Sequence, residues 1–394
     1  MATTELPVSS PALPPTHLAL RQDVYAQPPT VQSVPTPQPV PGSAVFRVTL
    51  ASIIGYTRDI YNGVRKYPYP VPLTLGSSAI GRVVALAPDA TILEIGDLCL
   101  LDCTIRGRDD IDGSAASTFL SAISEGFSEG SKKLMRDAWR DGTYAEYVRW
   151  PLENCFRLDE KKLFAMGYTV EDLMYIPRML VAYGGFSPLC IDLKPGETVV
   201  IGAATGGFGS AAVHLALEMG AGRVIALGRN TEILEKVKNA AAQKDRVFTV
   251  PLTGDWEVDY KALKDVGGTI DIFFDISPGA AQGSGHIKAG IMALRHGGRC
   301  CLMGGIRGDV SLPHHKIMHG DITVKGKWMY EPQDVKRLIG LVEMGLVRLN
   351  TTNQDRSVKP LGAECKGKFS LEKWEEAFEV AHEVTRNGFV VFEP

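Results

Sequence analysis

Thr198-Val199-Val200-Ile201-Gly202-Ala203-Ala204-Thr205-Gly206-Gly207-Phe208-Gly209 leads directly into Ser210-Ala211-Ala212-Val213-His214-Leu215-Ala216. The first part is β-branched, the middle is rich in glycine, and the last part is apolar with helical character. A strand, a tight turn and a helix in this order bring free backbone N–H groups and the positive end of a helix dipole to one point. A pyrophosphate is the natural ligand of such a point, so the stretch predicts a dinucleotide-binding turn.

The glycines of this turn have separate tasks. Gly206 and Gly207 let the backbone approach a phosphate, and Gly209 lets the helix pack closely on the strand. The strict Gly-x-Gly-x-x-Gly pattern needs glycine at position 204, where this chain has alanine. The motif alone therefore also fits a tight turn in any α/β sheet. With its strand–helix context it favours a cofactor held by Thr205, Gly206, Gly207, Phe208 and Gly209.

Strand and helix patterns alternate on both sides of this turn, from about residue 178 to 330. The expected buried strands are Thr198–Ile201, Arg223–Leu227, Asp271–Ile276 and Arg299–Met303. The expected helices between them are 209–219, 231–242 and 286–296. Such alternation predicts a parallel sheet with helices on both faces, an α/β doubly wound domain.

The end of the second strand indicates which nicotinamide cofactor is preferred. An NAD site usually has an acidic residue about 20 residues beyond the turn, where it binds the ribose hydroxyls. This chain has Gly228-Arg229-Asn230 there, and its first carboxylate is Glu232. A guanidinium can bind a 2′-phosphate through paired hydrogen bonds, so the stretch favours NADPH. The alternative is that Arg229 is a solvated surface residue.

The remainder of the chain divides into a β-rich part, an insert and a tail. Ten of the 24 prolines lie in the first 42 residues, which favours a loose arm followed by extended edge segments. Strand patterns begin at Ala44. Residues 106–142, rich in Ser, Gly and charge, are expected to be a lobe of short helices, with helical spacing at Phe119, Leu120 and Ile123. The tail is expected to hold helices near 333–345 and 371–385 and to end in the strand Phe389–Phe392.

Composition excludes several classes of protein. The 394 residues favour two or three domains, and the formal charge of −3 gives no basic excess for nucleic acid. Seven cysteines without a Cys-x-x-Cys pair argue against a disulfide scaffold and fit a reducing compartment. Residues 198–217 are uncharged for long enough to cross a bilayer, but the central glycines favour strand–turn–helix. We read no signal peptide in Met1–Leu20, and we expect a cytoplasmic protein without membrane or nucleic-acid partners.

Taken together, these features resemble the medium-chain dehydrogenase/reductase superfamily from about Ala44 to the C-terminus. The resemblance rests on the turn, on Gly228-Arg229-Asn230 and on further motifs: Ile95-Gly96-Asp97, Gly142-Thr143-Tyr144-Ala145-Glu146-Tyr147-Val148, Gly298-Arg299-Cys300-Cys301-Leu302-Met303-Gly304-Gly305 and Ile322-Thr323-Val324-Lys325-Gly326. It is nearest to fungal alcohol-dehydrogenase-like reductases. The resemblance implies a GroES-like catalytic domain over 1–177, a Rossmann domain over 178–334 and a segment 335–394 that completes the catalytic domain. It also implies cofactor contacts from Ser277 and Gly304.

The catalytic zinc of the superfamily has no counterpart among the matching residues. The three ligand positions correspond to Tyr56, Ser77 and Pro177, and the four cysteines of the structural-zinc lobe are replaced by residues 106–142. Neutral hydroxyls and a proline do not supply what a Zn²⁺ site requires. The sequence therefore predicts no metal, and it predicts Cys99 and Cys103 to be core residues. His286, His296 and the group His314, His315 and His319 are expected to be surface or interface residues and not ligands.

Without a Lewis acid, the site needs another group to protonate or stabilise the developing oxyanion. Asp59-Ile60-Tyr61 resembles the Asp-Pro-Tyr of alkenal reductases, where the tyrosine faces the substrate, so Tyr61 is the first candidate donor. The alternative for Tyr61 is a partly buried structural tyrosine. Tyr56 and Ser77, which would face the vacated metal pocket, are the next candidates.

These inferences lead to a zinc-independent, NADPH-dependent reductase of an activated C=C bond or quinone in a small organic molecule. Two alternatives remain: a zinc-independent alcohol dehydrogenase or carbonyl reductase of secondary metabolism, and a non-catalytic protein that only binds the cofactor. The sequence does not identify the substrate. A homodimer is expected, because superfamily members commonly pair their last Rossmann strands across a two-fold axis, here about Arg299 to Val310.

Overall fold

The computed structural model describes residues 13–109, 117–350 and 359–394. Its internal contacts divide the chain into two units. The first unit contains the chain up to Met174, with Lys366–Glu383 and Val390–Pro394. The second unit contains Tyr175–Cys365 and Val384–Phe389.

The first unit is built mainly from β-strands joined by turns and short helices. Its strands are β1 Thr16–Gln22, β2 Thr30–Pro35, β3 Ser43–Ile53, β4 Leu73–Thr74, β5 Ala79–Leu86, β6 Leu98–Leu101, β7 Thr104–Ile105, β8 Phe119–Leu120, β9 Tyr147–Pro151, β10 Cys155–Arg157, β17 Cys365–Phe369 and β18 Phe389–Phe392. Its helices are α1 Thr57–Tyr61, α2 Glu129–Asp137, α3 Glu160–Ala165, α4 Val170–Leu173 and α12 Trp374–Val384.

The long strand β3 organises the first unit. It pairs antiparallel with β5, β9 and β18 in a sheet of order β10-β6-β5-β3-β18-β17. The proline-rich N-terminal segment is extended, as expected, and pairs as the hairpin β1–β2, in which β2 is an edge strand and β1 lies between β2 and β4. Residues 1–12 of the expected loose arm lie outside the described residues. Apolar residues of β3, β5, β6 and β18 form the buried core. This is the β-rich unit that the sequence predicted.

The second unit alternates strands and helices. Its strands are β11 Thr198–Gly202, β12 Arg223–Gly228, β13 Val247–Pro251, β14 Ile272–Asp275, β15 Arg299–Leu302 and β16 Thr323–Gly326. Its helices are α5 Ile176–Phe186, α6 Gly207–Glu218, α7 Thr231–Asn239, α8 Trp256–Asp265, α9 His286–Ala293, α10 His314–His319 and α11 Pro332–Glu343. The strands form one parallel sheet of order β13-β12-β11-β14-β15-β16, which confirms the Rossmann fold. β11 lies where the strand order reverses, so its C-terminal end is the topological switch point.

Three details differ from the expectations. Residues 335–350 and 359–365 belong to the second unit, in which the buried face of α11, with Val335 and Leu338, packs against α5. Phe119 and Leu120 form β8 opposite β7 instead of a helix, although α2 confirms helical structure later in the insert. Residues 110–116 of the insert lie outside the described residues.

The sheet edge also lies elsewhere than expected. β15 pairs with β14 on one side and with β16 on the other, so Arg299–Leu302 cannot extend the sheet. The edge strand on this side of the sheet is β16, and residues 303–310 form no strand.

Among the described residues, the helices lack either the length or the apolar character that crossing a bilayer requires. The uncharged run 198–217 consists of β11, the glycine turn and α6, as its glycines predicted.

Candidate active site

The glycine turn joins the end of β11 to the start of α6. Gly202 ends β11, and Gly206 is the N-cap residue of α6 in extended conformation. Ala203 has a positive φ of 60° and turns the chain between them. No side chain caps the first turn of α6, so its backbone N–H groups and the positive end of its dipole are the anion-binding features of this end.

The glycines of the turn meet very different surroundings. A Cβ added at Gly209 would lie 2.1 Å from the carbonyl oxygen of Ala203, so only glycine allows α6 to pack this closely on the turn. A Cβ added at Gly207 would lie 2.6 Å from the carbonyl oxygen of Thr385. At Gly206 the nearest atom, the carbonyl oxygen of Ala203, is 3.8 Å away, so a Cβ there would make an ordinary contact without a clash. Gly206 is therefore the position where the backbone is open to a ligand.

The end of β12 lies beside this turn. The N–H of Ala204 donates to the carbonyl oxygen of Leu227 at 2.9 Å. Thr205, half-buried, places its methyl group against Gly228, where an added Cβ would lie 2.6 Å from that methyl. The structure thus brings Thr205 and Gly228 together, as the prediction of one cofactor site requires.

Arg229 follows β12 directly and is exposed, and within the described part of the chain no carboxylate forms an ion pair with it. Glu232, the nearest acidic residue after β12, is paired with Lys236 at 2.7 Å. Asn230 uses its side chain to accept a hydrogen bond from the N–H of Ile233 at 3.0 Å, which makes it the cap of α7. The guanidinium of Arg229 is therefore the group that the end of β12 offers to a ligand.

Ser277 and Gly304 meet beside the end of β11, at the side opposite β12. Gly202 pairs with Asp275, the last residue of β14. A Cβ added at Gly304 would lie 2.4 Å from Oδ2 of Asp275 and 2.8 Å from the carbonyl oxygen of Ser277. The structure thus places Ser277 and Gly304 in contact with each other at the C-terminal edge of the sheet.

His286, which the sequence analysis assigned to the surface or an interface, is buried beside Ser277 and Asp275. His286 is only 1% exposed, so its assignment to the surface or an interface is wrong. Its Nε2 lies 2.8 Å from Oγ of Ser277 and 3.0 Å from Oδ1 of Asp275, and its Nδ1 lies 2.9 Å from Oγ of Ser284. The signal in the sequence is an aspartate that ends an apolar strand, with a histidine at the start of the next helix. His296 and the group at 314, 315 and 319 are exposed, as expected.

Tyr61, the first candidate proton donor, is deeply buried at the end of α1. Its hydroxyl donates to the carbonyl oxygen of Ala122 at 3.1 Å and accepts from the N–H of Gly76 at 3.1 Å. Its ring packs near Phe378 and Tyr69. Burial raises the pKa of Tyr61 well above its usual value. These contacts favour the alternative that Tyr61 is a structural residue. Its role as a proton donor stays a prediction.

Tyr56 and Ser77 are the residues that the sequence analysis expects at two of the zinc-ligand positions. Tyr56 is half-buried, and the guanidinium carbon of Arg65 lies 3.9 Å from the centre of its ring. Ser77 is 5% exposed and follows Gly76, whose N–H is held by Tyr61. Tyr61 thus fixes the backbone directly before Ser77, which links two of the three candidates.

The residues at the expected zinc position do not fit a zinc ion. Tyr56 and Ser77 provide neutral hydroxyls, and the cation of Arg65 covers the tyrosine ring. Pro177 lies in the first turn of α5 and has no donor side chain. In the described ranges no three His, Cys, Asp or Glu side chains come together in a way that could hold a metal. Cys99 and Cys103 are buried in and after β6, as expected, and burial raises the pKa of each thiol to about 12.

Parts of both units match known protein families. Residues 40–160 match the family described as alcohol dehydrogenase GroES-like domain, and residues 207–344 match the family described as zinc-binding dehydrogenase. The first match covers the strands of the first unit, and the second begins in the glycine turn.

Individual proteins of known sequence or structure agree with these matches. The probable D-xylulose reductase A of Aspergillus clavatus is 26% identical over 285 residues, which cover 71% of this chain and 72% of the relative. A dehydrogenase from Sinorhizobium meliloti, described as putative zinc-binding and bound to NADP, has a TM-score of 0.72 and 19% identity, covering 96% of this chain and 99% of the other. A short chain alcohol dehydrogenase from E. coli in complex with NADH has a TM-score of 0.74 and 15% identity, covering 97% and 100%. The two structures share the fold of this chain.

Proposed function

Because this chain belongs to the medium-chain dehydrogenase/reductase superfamily and is an oxidoreductase, we propose that it is an NADPH-dependent, zinc-independent reductase of a small organic molecule. Its proposed substrate carries an activated C=C bond or a quinone. The observation that carries this proposal is the free guanidinium of Arg229 beside an open glycine turn, in a chain whose zinc positions hold no metal ligands.

The residues at the C-terminal edge of the Rossmann sheet fit a nicotinamide dinucleotide. Gly206 and the first N–H groups of α6 would bind the pyrophosphate, since this is the open part of the turn. Arg229 would bind the 2′-phosphate, which distinguishes NADPH from NADH. Ser277 and Gly304, held by Asp275 and His286, would contact the cofactor at the other side of β11. Asn230, which caps α7, would act by orienting Arg229.

NADPH supplies the hydride when it is bound, so the remaining task of the chain is to deliver a proton or to stabilise negative charge. Tyr56 and Ser77 are the proposed sources of that hydrogen bond. Tyr61 is proposed to position them, because its hydroxyl is already bonded to Gly76 and Ala122. An activated C=C bond or a quinone suits such weak donors, because the conjugated carbonyl of the substrate spreads the developing charge.

The alternative with most support is a zinc-independent carbonyl reductase or alcohol dehydrogenase. It is favoured by the similarity to D-xylulose reductase A, whose name describes reduction of a ketone sugar. A protein that binds the cofactor without turnover is the third possibility, and the glycine turn and Arg229 support only binding.

One experiment separates the three. The purified protein receives NADPH deuterated at the transferable position of C4, together with an enone and with the saturated ketone of the same skeleton. We expect deuterium at the β-carbon of the enone product and none in the ketone reaction. Deuterium at the carbinol carbon identifies the carbonyl reductase, and no deuterated product from either substrate class, with cofactor bound, supports the non-catalytic protein.

Elemental analysis tests the zinc proposal separately. Dialysed protein should contain far less than one zinc per chain, and activity should survive a chelator. Stoichiometric zinc that a chelator removes together with activity would overturn the assignment of Tyr56, Ser77 and Pro177 to the lost ligand positions.

A further inference from the structure

Two cysteines of the second unit lie side by side although they are 111 residues apart. Cys190 lies in the turn between α5 and β11, and Cys301 lies in the middle of β15. Their sulfur atoms are 3.7 Å apart, and both are free thiols. Cys190 is partly exposed, whereas Cys301 is completely buried. The two sulfurs would need to approach by only about 1.7 Å to reach the length of a disulfide bond.

Lysine side chains surround the exposed member of the pair. Lys325 lies directly opposite Cys301 on β16, and its ammonium donates to the carbonyl oxygen of Leu189 at 2.8 Å. This bond ties the turn that carries Cys190 to the sheet and places a positive charge beside the thiol. Lys327 adds a second positive charge, and Asp334 opposes both.

The hydrogen bond between the two thiols gives them different pKa values and therefore different reactivity. The hydrogen bond from Cys301, with the nearby lysines, lowers the pKa of Cys190. The same hydrogen bond, together with burial, raises the pKa of Cys301 far above its usual value. A thiolate is the nucleophile in cysteine chemistry, so Cys190 is the member that reacts first.

We propose that Cys190 and Cys301 form a peroxide-sensitive dithiol, a modification site in which Cys190 is oxidised and Cys301 resolves it. The Cys190 thiolate attacks one oxygen of a hydroperoxide, the O–O bond breaks, and hydroxide or alkoxide leaves. This gives a sulfenic acid at Cys190. The Cys301 sulfur then attacks that sulfur, water leaves with the thiol proton, and a disulfide remains. The peroxide gains the two electrons that the two thiols lose.

The other cysteines provide an internal comparison. Burial raises the pKa of Cys155 well above its usual value, and it also raises that of Cys300, the neighbour of Cys301 in β15. Cys99 and Cys103 have pKa values of about 12, again from burial. These thiols lack the thiolate character that fast oxidation requires.

The test treats the reduced full-length protein with a small excess of hydrogen peroxide, followed by alkylation and non-reducing peptide mass mapping. We expect a cross-linked peptide pair containing Cys190 and Cys301, formed at least about tenfold faster than any oxidation of Cys155, and reversed by dithiothreitol. Cys301→Ser should stop at a Cys190 sulfenic acid that dimedone traps. Lys325→Gln keeps a hydrogen-bond donor toward Leu189 but removes the charge, so it should slow the oxidation of Cys190 severalfold.

Cys155→Ser is the matched control and should leave the cross-link unchanged. The proposal is overturned when peroxide oxidises Cys155 or Cys365 while the peptides of Cys190 and Cys301 are recovered as alkylated thiols. It is equally overturned when Cys190 is oxidised but pairs with a cysteine other than Cys301. Both outcomes can be read from the wild-type protein alone, so they do not depend on the folding of any variant.

Discussion

Arg229 is the single residue on which the cofactor assignment depends. It is exposed at the end of β12, and the first carboxylate after β12 in the sequence, Glu232, is already paired with Lys236. Replacing it with aspartate removes the proposed partner of the 2′-phosphate and adds repulsion. We expect Arg229→Asp to weaken NADPH binding by about 1.5–3 kcal/mol, the range for hydrogen bonds to charged groups, and to change NADH binding little. Fluorescence titration with both cofactors measures this.

Arg246 supplies the control for that titration. It is also exposed, but it precedes β13 and so lies at the N-terminal edge of the parallel sheet, away from the glycine turn. Arg246→Asp should leave both affinities unchanged. Equal losses of NADPH and NADH affinity in Arg229→Asp would show that this residue does not recognise the phosphate.

Tyr61 and Tyr56 are distinguished by what their substitution damages. Tyr61→Phe leaves the buried N–H of Gly76 without its acceptor, so it should lower the free energy of unfolding by about 1–3 kcal/mol. Turnover of the folded fraction should change little. Tyr56→Phe should lower kcat by roughly 10²-fold, within the usual range for general acid catalysis, at unchanged NADPH affinity. Urea denaturation and steady-state kinetics measure the two effects.

The opposite kinetic result for the two tyrosine variants would also identify the proton donor. A roughly 10²-fold loss of kcat in Tyr61→Phe with normal Tyr56→Phe would restore the first sequence prediction, in which Tyr61 is the acid. Normal turnover in both variants would leave Ser77 or solvent water as the donor.

His214 makes the stability of the second unit depend on pH. It lies in α6, stacked on Tyr175, and neither ring nitrogen has a hydrogen-bond partner among the described residues. Burial lowers the pKa of His214 from 6.5 to about 4. Because the unfolded chain then binds more protons below pH 6.5, stability is complete above that pH and is lost as the pH falls toward 4.

The expected loss between pH 7 and pH 5 is about 2 kcal/mol of unfolding free energy from this residue. His214→Phe keeps a ring beside Tyr175 and removes the titration, so its stability should fall less over the same interval. Urea denaturation of both proteins at the two pH values checks this. Parallel losses in the variant and the wild type would mean that other groups cause the pH dependence.

At the scale of elements, substitutions in the glycine turn can distinguish effects on cofactor binding from effects on stability. Gly206→Ala adds a methyl group whose nearest neighbour is 3.8 Å away, but alanine is a poorer N-cap than glycine. We expect it to lower the free energy of unfolding by no more than about 1 kcal/mol, while NADPH affinity falls at least about tenfold because the methyl group occupies the space of the pyrophosphate.

Gly209→Ala is the counterpart on the same helix. Its methyl group would collide with the carbonyl oxygen of Ala203, so we expect a loss of about 1–3 kcal/mol of stability, as for an overpacked core. Thermal denaturation without cofactor separates the two variants. A strong loss of stability in Gly206→Ala would show that the turn has less room than described.

Local patterns predicted the elements that depend on neighbours in sequence. β11, the turn and α6 follow from an apolar run, glycines and an alanine-rich segment, and the structure has them at those positions. Phe119 and Leu120 fit a helix equally well by spacing, but their partner is β7, which lies directly before the insert in the sequence. β13 and α8 were not predicted, because β13 is only partly buried at Phe248 and Thr249 and ends at Pro251. The residue pattern of one segment does not show which other segment it will pair with.

The candidate site shows the same limit. The glycine turn and Arg229 could be located from the sequence, because one strand–helix unit positions them. The bonds of Tyr61 to Gly76 and Ala122 join segments 15 and 61 residues away, so no local motif announces them. The burial of His286 arises from the packing of α9 beside β14, and only that packing distinguishes it from the exposed His296.

At the scale of the whole molecule, the expected homodimer needs a contact surface other than the predicted Arg299 to Val310. β15 is paired on both sides, so Arg299–Leu302 is unavailable as an edge. Beyond it lies a segment without strand structure that ends in the exposed Leu312, which is 41% accessible. Exposed apolar side chains are common where subunits meet. We therefore predict that residues 303–312 form the contact between two copies.

Sedimentation velocity tests this assembly. The wild-type protein should sediment as a dimer at micromolar concentration, because burial of Leu312 and its neighbours in both copies is favourable. Leu312→Arg places two positive charges across the two-fold axis and should shift the protein toward monomer. Leu346→Arg is the matched control, since Leu346 is 61% exposed after α11 and should leave the dimer intact. A monomeric wild-type protein refutes the dimer, whereas a dimer that Leu312→Arg does not weaken refutes this contact and points to the free edge of β16.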